Sequence, residues 1–400
     1  MDRVRNRDAR GASSADGWLA PVRALDGVRG VAVLLVVAGH VRSVLVPRVL
    51  GLGPVESPMP GGFLGVDVFF VLSGLLITSL LVREHERRGS VALGRFWWHR
   101  ALRLLPALWV LLAVHALYSW ATGLSMATQW RSTRAALVYL SNWAWKWDGL
   151  ESVFGLGHLW SLAVEFQFYL VWPLVVLALL RLDPTGTVLL GTTAAGVVLV
   201  AINRAVLFDG GDAALLLYQR TDTRMDGLLV GSLLALAWWR WPQAMAPLRL
   251  LAWPALAAVA YAVATADFAD PWLYRWGFTA IALAVAAVLG AIVSGAWVGR
   301  RAFELAPLVL VGKVSYGLYL WHLPIFAAVN RYGVQWGAPR RVVVGLAGSA
   351  AAAAASWVLV ESPVRRLRRG APPELAAAVA AAEPASSAAT PRPLRPVNPT

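Results

Sequence analysis

Arg29 and His40 share the first apolar stretch, LDGVRGVAVLLVVAGH, and have the residue types of a working pair. Eleven positions at 100° each return them to within about 20° of one helical face, ~16 Å apart along the axis. An imidazole deep in an apolar helix is costly unless solvated or paired. Its readiness to exchange a proton near neutral pH suits it to general acid–base work. A satisfied core imidazole is the plainer alternative. Arg29 lies nearer the other end, with Asp26 three residues before it and in reach of its guanidinium. There it could hold an anion or snorkel to the headgroups as an anchor.

Further polar residues recur on helical stripes. In FWWHRALRLLPALW, Arg100 and Arg103 are three apart on one face. Paired guanidiniums grip phosphate oxygens bidentately, although a topological anchor would look the same in sequence. HLWSLAVEFQFYLVWP carries His158, Ser161, Glu165 and Tyr169 on one stripe, with the Glu one to two turns into an apolar run. KVSYGLYLWHLPI repeats the pattern with Ser315, Tyr319 and His322. Asp67, in GGFLGVDVFFVLSG, sits in a first helical turn, which the helix dipole favours whether or not the acid has a function. Arg224 and Asp226, in RTDTRMDGLLVG, could contact substrate or form an ion pair fixing a helix start. Cysteine is absent, which removes thiolate ligands, Cys nucleophiles and disulfides, and no metal-ligand spacing occurs.

The elements that carry these residues follow from composition. The chain is 58% hydrophobic and 14% charged, whereas a soluble domain has ~45–50% apolar and ~25% charged residues. Stretches long enough to span a bilayer occur at 25–46, 62–82, 104–121, 159–180, 187–207, 225–239, 250–266, 276–298, 305–328 and 342–360. The shorter, Trp-rich 135–145 could be an eleventh span, a re-entrant segment or an interfacial helix. The expected fold is an all-α integral membrane protein of ten or eleven transmembrane helices in one bundle with an internal polar cavity. Three regions are expected: a basic cytoplasmic segment (1–24), the membrane domain (25–369), and a disordered Ala/Pro-rich tail (370–400). The basic start followed by an apolar run resembles a signal peptide, but its length and the spans that follow favour an uncleaved first helix.

The 36 Lys and Arg exceed 22 Asp and Glu by 14. With the N-terminus inside, the basic clusters Arg3–Arg23, Arg83–Arg103, Arg300–Arg301 and Arg365–Arg369 all fall on the cytoplasmic side. The 21 Trp suit membrane-interface belts better than base stacking, so the positive charge points to lipid headgroups and excludes a nucleic-acid partner.

Taken in order, these segments resemble the membrane acyltransferase 3 family, whose members O-acylate bacterial glycans, lipids and secondary metabolites. The resemblance rests on Arg29-x10-His40, GVDVFFVLSGLLIT, the Arg100/Arg103/Pro106 segment, HLWSLAVEFQFYLVWP, TRMDGLLVG, VSYGLYLWH and ESPVRR. It implies catalysis by Arg29 and His40, a donor step on Arg100 and Arg103, and Glu165 as the acidic residue of its segment. It also implies acyl-CoA, with acetyl the expected group, as a co-substrate arriving from the cytoplasm. No bound cofactor or metal is expected. The acceptor would be a hydroxyl on a glycan, a lipid-linked sugar or a small metabolite at the plasma membrane. Some relatives add an extracytoplasmic hydrolase-like domain. The tail suggests none here, so transfer would be completed alone or with a partner protein.

Chemically, His40 fits a general base, with Glu165 as its orienter or as a second acid/base. An acyl-histidine is the variant. Tyr319 and His322 would bind acceptor or an oxyanion, and Asp67, Ser161 and Arg224 are further substrate-binding candidates. The rival reading is a transporter or flippase using the buried His and Glu residues as a proton relay.

Overall fold

The computed structural model describes residues 22–45, 59–143 and 155–369, and every element in them is helical. The 370–400 tail and nearly all of the N-terminal segment lie outside the described residues. In a bilayer the backbone must satisfy its own hydrogen bonds, so apolar runs of this length become helices. The main helices are α1 (Arg23–His40), α2 (Gly65–Arg88), α3 (Leu93–Ala121), α4 (Met126–Leu137), α5 (Trp160–Leu182) and α6 (Thr187–Leu207). Then come α7 (Asp226–Arg240), α8 (Leu248–Thr265), α9 (Phe278–Val293), α10 (Ala306–Lys313), α11 (Ser315–Tyr332) and α12 (Ala338–Ser356).

Among the described residues, eight helices are long and apolar enough to cross a membrane, and nine spans result if the bent pair α10–α11 is one. By length and composition alone this is fewer than the ten or eleven expected, and the stretches that fall short are 225–239 and 305–328. The 225–239 stretch is the fifteen-residue α7, ~22 Å long against ~30 Å of hydrocarbon, yet its segment runs beside α2 from the Arg224–Asp67 pair to the bond from Trp239 Nε1 to Glu86. Its residues are buried almost all round, so its apolar character matches a protein interior as well as it matches lipid. The 305–328 stretch is not one rod, because α10 and α11 meet at 71°. In 135–145, helix α4 ends at Leu137 and turns follow to Trp143, with Ala144 and Trp145 outside the described residues.

Two close approaches set the frame for the site. Helix α2 runs through the centre and meets α7 backbone to backbone. A Cβ at Gly74 would lie 1.9 Å from the Leu228 carbonyl oxygen, and one at Gly231 would lie 2.0 Å from that of Val71. The contact is pinned by Thr78 Oγ1 donating to Ser232 Oγ (2.8 Å) and Trp172 Nε1 donating to Thr78 (2.8 Å). Helix α1 is held equally closely by α10, where a Cβ at Gly312 would lie 1.7 Å from the Asp26 carbonyl oxygen. Small residues at such crossings let van der Waals packing hold helices that lipid alone would not drive together. Together these contacts fix the helix carrying Arg29 and His40 against the one that leads into α11.

Candidate active site

Residues of α1, α2, α3, α5 and α11 line a pocket of about 780 Å³ of empty space, open solvent included. Six expected site residues line it: Arg29, Arg100, Arg103, Ser161, Glu165 and Tyr319. Arg29 donates to Asp26 at 2.7 Å, the pairing their spacing suggested. Arg100 stands over the Phe96 and Tyr169 rings, 5.5 and 5.7 Å from their centroids. Arg103 forms no ion pair within 4 Å among the described residues, yet lies near enough to Arg29 and Glu165 for their charges to interact. Three guanidiniums, apolar walls from Phe69, Leu72 and Leu76, and the hydroxyls of Ser73, Ser315 and Tyr316 make a site for an anion with a long apolar or amphipathic arm.

Glu165 is set at the arginine end. The hydroxyls of Ser73 and Tyr169 face its carboxyl, and those two hydroxyls also hydrogen-bond to each other. Among the described residues no hydrogen bond joins Glu165 to His40.

His40 occupies the last position of α1, where the α-helix gives way to a π-helical turn, Val41–Leu45. Such wide turns recur at functional sites because they re-aim a side chain. Its Nδ1 is 2.9 Å from the Val36 carbonyl oxygen and 3.3 Å from His322 Nε2. His322 in turn places Nδ1 2.7 Å from the Tyr319 carbonyl oxygen and 3.2 Å from that of Leu318. His158 completes a group of three imidazoles, its ring centroid 5.1 Å from that of His322. Tyr319 forms the partition: it lines the pocket, and its hydroxyl donates to the His158 carbonyl oxygen (2.8 Å) and contacts Ser161 Oγ (2.5 Å). His40 and His322 thus lie beyond the pocket lining, joined to it through Tyr319.

Asp67 and Arg224 are placed elsewhere. They pair with each other at 2.7 Å, both almost wholly buried. Asp226, the expected neighbour of Arg224, instead accepts from Arg204 at 2.8 Å. Arg204 was not among the expected residues, although an arginine inside the apolar run of α6 is itself a signal of a buried partner. Ser73, a small polar residue within the apolar run of α2, was likewise passed over.

Residues 22–361 match the family described as Acyltransferase domain. The chain is 32% identical over 356 residues to O-acetyltransferase OatA of Staphylococcus aureus (strain NCTC 8325 / PS 47), covering 86% of this chain and 57% of that protein. It is also 32% identical over 364 residues to Peptidoglycan O-acetyltransferase OatA of Listeria monocytogenes serovar 1/2a, covering 86% of this chain and 56% of that one. The chain therefore spans little more than half the length of these curated relatives. No solved structure matches it.

Proposed function

Because the chain belongs to the acyltransferase family matched by residues 22–361, we propose that it is a multi-pass plasma-membrane O-acyltransferase with both termini cytoplasmic. It moves an acyl group, acetyl in the first place, from acyl-CoA to a hydroxyl of a cell-surface glycan, a lipid-linked sugar or a small metabolite. The similarity to the Listeria peptidoglycan O-acetyltransferase favours a wall glycan among these. The observation that carries this reading is the convergence of Arg29, Arg100 and Arg103 on one pocket, with His40 on the same helix as Arg29.

Donor phosphates sit among the three guanidiniums, and the pantetheine arm runs along the apolar wall toward His40. The ~16 Å rise from Arg29 to His40 separates the anion grip from the base. Carbonyl oxygens only accept hydrogen bonds, so the contact with Val36 puts the ring proton of His40 on Nδ1 and leaves the lone pair on Nε2. That lone pair takes the proton of the acceptor hydroxyl as its oxygen attacks the thioester carbonyl. When the tetrahedral intermediate collapses, the C–S bond breaks and the CoA thiolate leaves with the proton that His40 returns. Ser161 and Tyr319 are the hydroxyls nearest the partition, and Tyr319 would turn its proton from the His158 carbonyl oxygen to serve the oxyanion. Glu165 acts at the donor end as a second acid/base and as counter-charge to Arg100 and Arg103.

The test is transfer from labelled acetyl-CoA by purified protein in liposomes offered peptidoglycan fragments, lipid-linked sugars and small alcohols. His40→Ala is expected to lower kcat by about 10²–10⁴-fold. Normal transfer by that variant overturns the base assignment, and export of substrate without acylation overturns the enzyme reading.

A further inference from the structure

We propose that His322 positions His40, its Nε2 lone pair accepting a share of the His40 Nδ1–H and holding the imidazole plane so that Nε2 serves as the base. The inference rests on the reading of His40 as base. Hydrogen-bond roles carry it. His322 Nδ1 faces two carbonyl oxygens, at 2.7 and 3.2 Å, so its ring proton must reside there and Nε2 must be the acceptor. The atom that Nε2 meets at 3.3 Å is His40 Nδ1, which carries a proton because of Val36. The Nδ1–H is therefore shared between a carbonyl on its own helix and an imidazole on α11.

The two acceptors do different work. The Val36 carbonyl lies one turn back on α1 and by itself leaves the ring free to swing about that bond. His322 comes from a different helix and fixes the second direction. It is also the stiffer member, fully buried. Its ring is pinned by the two carbonyls, by the Phe326 edge at 5.8 Å and by His158 at 5.1 Å. A carboxylate commonly fills this place beside a catalytic histidine. Within an apolar bundle a neutral imidazole does the same orienting without burying a formal charge. It also links the base to the donor pocket, since the carbonyl that holds His322 belongs to Tyr319, a residue that lines that pocket.

Two variants and one spectrum test this. His322→Leu removes the acceptor and should lower kcat by about 10–100-fold, the size of loss seen when a metal-bound imidazole loses the partner that orients it. KM for both substrates, acetyl-CoA affinity and the thermal midpoint should stay near those of the unaltered protein. His322→Gln supplies a carbonyl acceptor in place of Nε2 and should recover kcat to within about threefold. Native kcat in His322→Leu overturns the proposal, as does a folded His322→Gln no more active than His322→Leu. In the unmutated protein, 15N spectra of the histidine-labelled chain should show His40 and His322 both protonated at Nδ1, and His40 protonated at Nε2 would overturn it. If His40→Ala transfers normally, the base reading itself fails. If His40→Ala is inactive and His322→Leu is native, only this inference fails.

Discussion

Two groups of arginines within the helical bundle differ, and the contrast separates a structural brace from a binding site. Arg204 is fully buried and donates to four acceptors: the carbonyls of Tyr274 and Thr223, the Asp226 carboxylate and Thr279 Oγ1. Beside it Arg224 pairs with Asp67 and lies over the Phe278 ring, 3.6 Å from its centroid. The four charges cancel and tie α2, α6 and α7 together. In the other setting, Arg29, Arg100 and Arg103 line an open pocket with Glu165 among its lining residues, and with Asp26 paired to Arg29 the three guanidiniums face two carboxylates. A charge in the bilayer interior requires a partner. Where the protein supplies it, the arginine braces helices. Where the protein leaves the positive charge in excess, a ligand anion can supply it.

The largest effect should come from breaking the brace. Asp67→Asn leaves Arg224 buried without its counter-charge, and the expected loss is about 3–5 kcal/mol, read as a lowered unfolding midpoint in detergent. Asp226→Asn should cost less, since Arg204 keeps three other acceptors, whereas Nε and Nη1 of Arg224 already lack partners. Equal losses at the two positions would mean that the pairs do not differ as described.

Arg103→Lys should do the reverse, leaving the midpoint in place and weakening acetyl-CoA binding. A lost charge-assisted hydrogen bond to phosphate is worth about 1.5–3 kcal/mol, or roughly 10–100-fold in Kd. Full donor affinity in that variant, measured by calorimetry, would remove Arg103 from the phosphate grip.

The smallest effect lies outside both clusters, at Asp183 in the loop between α5 and α6. The Thr185 hydroxyl, followed by the Val188 amide, holds this carboxyl below its ordinary value. A carboxyl so lowered adds stability above its ordinary value, and that stability fades as pH falls through the lowered one. Asp183 is a half-exposed loop residue, so Asp183→Ala should flatten only slightly the acid limb of stability against pH. A large change would point to a role for this loop beyond capping α6.

Much of the candidate site was legible because a bilayer makes polar residues expensive at known depths. Position along an apolar run was enough to single out Arg29, His40 and Glu165, and four-residue steps placed Ser161 and Glu165 on one face. Local spacing also foretold the Arg29–Asp26 pair. Spacing failed where the partner was distant. Arg224 met Asp67, 157 positions away, and left Asp226 to Arg204. Glu165 joined the arginines, and His40 met His322, 282 positions away.

What the amino-acid order determined by itself is therefore the membrane class, the run of helices and the identity of the residues too costly to be incidental. Each follows from transfer free energy and helical period, which act locally. The tertiary structure alone decided which of those residues touch. That depends on how each helix is rotated and how closely its small residues let it approach a neighbour. It decided as well that the 225–239 stretch is the short helix buried against α2, since an apolar side chain is equally satisfied by lipid or by protein.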